Sequence, residues 1–232
     1  MTDPDGGGRA VIRWGGRITA VALLALVGVC IRAIAYTPVE VHQGPAQKIF
    51  YLHAPAAWSA LMSFGLVGLA SIGYLMLKDQ RLDRFAAVSA EVGLVFSGVM
   101  LTTGPIWGRT VWGTWWSWDA RLTLTLFLFF LFLGYRALRA ALTDPGERAR
   151  FAAVVGIMGL VLIPFVHLSV YLFRTLHPQP VVLKPSAPSL PPEMLLTLLT
   201  SFAVFTALYV GFVMTRYGIT LMDEAAAGGD DA

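Results

Sequence analysis

Cysteine is almost absent from the 232 residues. The single Cys30 sits inside an apolar run, so no intrachain disulfide, no C-x-x-C redox pair and no C-x-x-C-H attachment motif can form. Cys30 reads as a small buried or lipid-facing hydrophobe. Charge is scarce as well, at 13% of residues, and long stretches lack it entirely. No G-x-x-x-x-G-K-S/T loop occurs, so any nucleotide hydrolysis has to come from a partner. Against these absences stand a hydrophobic share of 56% and a mean hydropathy of +0.68. A water-soluble core of this size does not need so much apolar surface, which excludes a disordered tail-binding protein and a nucleic-acid binder. The formal charge of +3 instead reads as basic residues that set orientation in a membrane.

The charge-free stretches predict an all-α membrane protein. Its six transmembrane helices fall at roughly 18–36, 50–77, 85–106, 122–142, 151–173 and 194–214, each near the ~20 residues that cross hydrocarbon. The first follows Arg9, Arg13 and Arg17 and ends on Ala33-Ile34-Ala35, which resembles a signal-cleavage site. Its apolar run exceeds the ~7–15 residues of a signal peptide, so a retained anchor is expected. Six spans put both termini on one side. Placing Arg9, Arg13, Arg17, Lys78, Arg81, Arg84, Arg136, Arg139, Arg148, Arg150 and Arg216 there gathers eleven of the 17 basic residues. Arg32, Lys48, Arg109, Arg121, Arg174 and Lys184 remain on the other side. The positive-inside rule then predicts cytoplasmic termini.

The chain accordingly divides into a cytoplasmic N-terminal segment, 1–17, a six-helix domain, 18–214, and an acidic, small-residue tail, 215–232, expected to be disordered. Three features fall outside: a loop near 37–49, a tryptophan-rich segment near 107–119 between helices 3 and 4, and a loop at 174–193. Pro178, Pro180, Pro185, Pro188, Pro191 and Pro192 make this last loop stiff and extended.

Five of the seven tryptophans, Trp107, Trp112, Trp115, Trp116 and Trp118, lie within twelve residues. An interfacial aromatic belt explains one or two of them but not this density. If the stretch is helical, Trp112, Trp115, Trp116 and Asp119 share one face, a flat aromatic surface with a carboxylate at its edge. Gly108 and Gly113 weaken a regular helix, so a partly irregular loop presenting the same rings is the alternative. Either form suits a large, planar, apolar ligand.

The string W-G-x-W-W-x-W-D-x-R-L-T, Trp112 to Thr123, resembles the signature of the tryptophan-rich haem-handling membrane proteins of cytochrome c biogenesis. Among these, a short six-span chain is similar to the CcmC family, the haem exporter protein C of maturation system I. Tyr51-Leu52-His53-Ala54-Pro55-Ala56-Ala57-Trp58, Pro164 to Val170, and Thr175-Leu176-His177 are similar to flanking segments of that family. The resemblance covers about residues 45–178, and it makes 107–123 the haem-handling segment. It implies a bacterial inner-membrane protein, not an enzyme, that binds haem b at the periplasmic face and delivers it to a periplasmic haem chaperone. An ABC-type transporter complex, a small single-span membrane protein and membrane lipids are the other partners it implies. A membrane b-type cytochrome serving an oxidoreductase is the alternative, and a small-solute permease subunit a third reading that leaves the aromatic density unexplained.

Of the four histidines, His53 lies near the outer end of the second span, where Pro55 is expected to set the helix start. His167 lies ~24 Å along the fifth span from Phe151, and Pro164 can kink that helix just before it. A lone membrane histidine can simply bond a neighbouring helix. Two at matching depth beneath an aromatic platform suit axial ligation of haem iron, and the resemblance implies His53 and His167 as the pair. His42 and His177 are expected in hydrated loops, with His177 the substitute ligand. The haem propionates need cations: Arg174 shares the His167 face if the helix continues, and Arg109, Arg121 and Lys184 lie on the same side. Trp107 to Trp118 would stack on haem. Asp119 would orient Arg121, a tryptophan N–H or a partner protein. Glu91, inside the third span, faces the cytoplasmic half, where an internal pair, a partner helix or a transport role would each account for it.

Overall fold

The computed structural model describes residues 6–182 and 184–229. Six helices follow in order: α1 (Gly6–Ile31), α2 (Phe50–Leu77), α3 (Gln80–Trp112), α4 (Ala120–Ala141), α5 (Pro145–Leu172) and α6 (Pro192–Gly229). All six are long and apolar enough to cross a membrane. Three begin behind an aspartate whose carboxylate accepts an otherwise unmet first-turn N–H: Asp79 from Arg81 at 2.9 Å, Asp119 from Leu122 at 3.0 Å and Asp144 from Glu147 at 2.7 Å. Pro55 does not start α2. That role falls to a short 3-10 turn, Pro45–Ile49, with Pro45 at its first position, where the missing N–H costs nothing.

The ends depart from the hydropathy reading because capping and pairing decide them. α3 runs through Trp107 to Trp112 and stops where Gly113 takes a φ of 77°, a left-handed conformation that favours glycine. The tail expected to be disordered from 215 is helical as far as Gly229, and 230–232 lie outside the described residues. Ala225, Ala226 and Ala227 favour helix, and Glu224 is held by Arg84. Residues 6–17 likewise belong to α1, while 1–5 are outside the described residues.

Packing relies on small residues that let backbones approach, the usual device where lipid removes the hydrophobic drive between helices. Between α1 and α6, a Cβ at Gly15 would stand 2.5 Å from Thr215 Oγ1, and one at Gly211 2.4 Å from Thr19 Oγ1. α2 is central, packing on α3, α5 and α6. Phe64 of α2 stacks on Phe132 of α4 with ring centroids 3.8 Å apart. A buried polar link crosses this interior: Ser63 Oγ donates to Ser89 O at 2.5 Å, and Ser89 Oγ meets Tyr209 Oη at 2.7 Å. The last turn of α3 and the 113–119 loop thus lie at one end of the bundle. The first turns of α3 and α5 and the last of α4 lie at the other.

Candidate functional site

Two adjoining cavities of 90 and 160 Å³ open at the tryptophan end, and His53, Trp107, Arg121 and His177 line both. Each is smaller than the ~300 Å³ of an ordinary enclosed small-molecule site. The walls are chiefly apolar: Ala57 and Leu61 of α2, Met100 and Leu101 of α3, Val166 of α5.

His53 projects from the first turn of α2. Thr103 Oγ1 donates to Val99 O at 2.8 Å, leaving its lone pairs for His53 Nδ1 at 3.1 Å. Nδ1 therefore carries the proton, and the Nε2 lone pair is free to bind. The ring lies edge-on to Trp107 at 5.8 Å. Gly104 keeps space for it, since a Cβ there would come within 3.1 Å of the imidazole.

His177 lies in the loop after α5 as expected, but it is half-buried and turned into both cavities. After α5 ends at Leu172, the chain turns back over the cavity, and Asp119 Oδ2 accepts from Leu176 N at 3.2 Å to hold that turn. His177 Nδ1 stands 2.8 Å from Pro178 O, which can only accept, so here too Nδ1 donates and Nε2 is free. Withdrawal from water, with the nearby charge of Arg121, pushes its pKa from 6.5 down to about 3. It is neutral, the ligating form, at any physiological pH.

His167 lines only the second cavity, its ring 6.2 Å from Tyr171, and among the described residues no hydrogen bond fixes either ring nitrogen. Arg174 lies beyond the end of α5, exposed and outside both cavities, because the helix it needed does not continue. Arg109 donates to Gly113 O and Lys184 to Ser189 Oγ, away from the cavities. Arg121 alone of the four cations expected to meet propionates lines them, with only a 3.5 Å contact to Val166 O. His42 is exposed.

The tryptophans divide into two sets, and the expected common face of Trp112, Trp115, Trp116 and Asp119 does not form because the helix stops first. Trp107, 6% exposed, packs on Phe50 and Trp112, and its N–H donates to Gln43 Oε1 at 3.0 Å. Trp115 and Trp116 line the first cavity from the irregular loop. Trp118 is 77% exposed, outside both cavities, and touches Trp116 edge-on at 5.8 Å. Asp119 is engaged by the amides of Leu122 and Leu176 rather than by a tryptophan N–H. The Trp116 N–H is sealed from solvent and, among the described residues, has no hydrogen-bond partner; Trp116 and Arg121 line the same cavity.

This donor set fits haem. Two imidazoles with free Nε2 atoms, those of His53 and His177, would hold its iron. Aromatic rings flank an apolar slot, and a cation with an unmet N–H waits for a carboxylate. Among the described residues no group of three His, Cys, Asp or Glu side chains is placed to hold a bare metal ion. The model of the family CcmC, heme exporter protein C, matches residues 8–228. The chain belongs to that family. Heme exporter protein C of Bradyrhizobium diazoefficiens is 37% identical over 191 residues, 82% of this chain and 73% of the relative. That of Haemophilus influenzae is 36% identical over 208 residues, 89% and 85% of the two chains. The Escherichia coli K12 protein is 40% identical over 143 residues, 61% and 58%. This heme exporter C family member is a multi-pass inner-membrane protein with a role in haem handling for cytochrome c maturation.

Thr103 and Gly104, the side chain and the space that set His53, went unread in the sequence. Their signal was the Thr102-Thr103-Gly104-Pro105 run, polar and small inside an apolar span.

Proposed function

We propose that the chain receives haem at its tryptophan end, holds the iron between His53 and His177, and gives it to a periplasmic haem chaperone. The observation that carries this reading is the pair of imidazoles lining the same cavities, each with Nδ1 engaged by an oxygen and Nε2 free. His177 replaces His167 as the second ligand because its ring is fixed and faces both cavities. Arg121 and the Trp116 N–H take one propionate, while the exposed Trp115 and Trp118 flank the uncovered haem edge and offer the chaperone its approach. The haem in this reading is b-type and held non-covalently, since a single cysteine cannot make the paired thioether bonds of a c-type attachment.

The tryptophan end faces the periplasm, a reading supported by the arginines of α3, α4 and α5 gathered at the opposite end. An ABC-type complex and a small single-span protein complete the system. The exposed flanks of α1 and α4, with Val21, Leu24, Phe127 and Phe130 more than half exposed, leave room for lipid or such helices.

Haem-loaded protein in nanodiscs, mixed with purified apo-chaperone, tests the handover. Haem should move to the chaperone from the wild type. Retention of haem at all chaperone concentrations would point to an electron-transfer cytochrome instead. Cysteine labelling in a Cys30→Ser background tests orientation: Trp115→Cys should react from the periplasm and Arg150→Cys should not.

A further inference from the structure

At the other end of the bundle, α3, α4, α5 and α6 enclose a cavity of 630 Å³ that haem handling does not use. Five arginines line it against three carboxylates. Arg139 is bidentate to Asp83, at 2.6 and 2.8 Å. Arg84 is bidentate to Glu224. Glu91 is shared, with Arg216 Nη2 3.1 Å and Arg136 Nη2 3.5 Å from the same Oε2. Among the described residues Arg148 meets no carboxylate, and its Nε is sealed from solvent with no hydrogen-bond partner. Among the described lining residues, five cations face three anions, an excess of two positive charges.

The depth of the cavity sharpens the point. α3 has 33 residues, so at ~1.5 Å each it is ~50 Å long, against a hydrocarbon core of ~30 Å. With the excess shared between its ends, Asp83 and Arg84 sit at headgroup level and Glu91 about two turns beneath them. Unpaired charge at that level is costly, and a buried guanidinium N–H without an acceptor costs more. Guanidinium groups recognise phosphate through paired N–H donors, and one phosphate brings several acceptor oxygens and the missing negative charge to a single point.

We propose that this cavity binds a phosphate group, with Arg148 as its unpartnered donor and Arg136, held only loosely by the shared Glu91, as the second. The group is carried either by an anionic phospholipid headgroup of the cytoplasmic leaflet or by a free phosphate. A headgroup would reach it at the level of Asp83 and Arg84, and the Ala87 and Val88 wall would take the start of an acyl chain.

The test uses the full chain in phosphatidylcholine nanodiscs, read by thermal unfolding and by native mass spectrometry of retained lipid. One arm adds phosphatidic acid to the bilayer; the other adds inorganic phosphate against chloride at matched ionic strength. Stabilisation in the lipid arm alone identifies a headgroup, and stabilisation in both a free phosphate; either supports the site. Arg148→Gln should weaken the responding arm about tenfold, the loss of one charge-assisted contact. Arg148→Lys should retain most of the response, and Arg150→Gln, exposed on the same helix, should match the wild type. If Arg148→Gln does not fold, Arg136→Gln carries the same comparison. No stabilisation beyond chloride in either arm, or a wild-type response in the glutamine variants, overturns the proposal.

Discussion

Asp119→Asn separates two jobs that one carboxylate performs. Oδ1 accepts from Leu122 N at 3.0 Å and caps α4, while Oδ2 accepts from Leu176 N at 3.2 Å and holds the turn that presents His177. Asparagine caps about as well as aspartate, so α4 should be unharmed. Its amide nitrogen cannot accept from Leu176, so the tether is lost. A hydrogen bond to a charged group contributes ~1.5–3 kcal/mol, and the exposed position of this one puts it near the lower figure. The change also removes a negative charge near Arg121, which by itself favours a propionate, but a partly solvated charge pair is worth less than ~1 kcal/mol. The tether wins with a net ~0.5–1.5 kcal/mol, and haem affinity should fall roughly two- to tenfold, since each ~1.4 kcal/mol is a factor of ten. Soret titration of purified protein in detergent reads the Kd, and circular dichroism confirms unchanged helix content. Asp119→Ala should lose ~1 kcal/mol more in stability through the cap. An asparagine variant that binds haem as tightly as wild type would refute the idea that Asp119 positions His177.

Three further outcomes follow from the packing and charges. The Asp83–Arg139 pair has both side chains only 12% exposed, so Arg139→Leu alone should destabilise by ~3–5 kcal/mol through the stranded carboxylate, and the double change to leucine should restore most of it in a denaturation series. Gly15→Leu forces atoms into the 2.5 Å gap at Thr215 and should cost ~1–3 kcal/mol, with α1 protease-accessible before the rest. His177 has its folded pKa lowered to about 3 from 6.5. Between those values the unfolded or displaced loop takes up the proton, so the docked loop is fully stable above about 6.5 and progressively loses stability as pH falls towards 3. Protection factors of residues 173–182, corrected for the intrinsic pH dependence of amide exchange, should therefore be lower at pH 4.5 than at 7.5, and His177→Gln should remove that difference.

Much of this arrangement was legible in the residues. Charge-free runs marked all six helices because lipid demands them, and tryptophan density marked the end at which two cavities open. His53 was readable because it opens an apolar helix. What was not legible depends on contacts distant in sequence. Hydropathy cannot say that α3 continues to Trp112, since tryptophan suits both an interface and a helix, and only the positive φ of Gly113 ends it. Nor can it say that the loop after Leu172 folds inward. A bond from Leu176 to Asp119, 57 residues away, turns a loop histidine into a cavity residue, and it strands Arg174 outside. The tail was misjudged on composition, because its helix is secured by Arg84, 140 residues from Glu224.

The most direct measurement is magnetic circular dichroism of ferric haem bound to the wild type and to His53→Ala, His177→Ala and His167→Ala, prepared identically. Low-spin bis-histidine signals should appear in the wild type and in His167→Ala, and should be lost in the other two. Loss in His167→Ala with retention in His177→Ala would contradict the assignment and return the second ligand to α5.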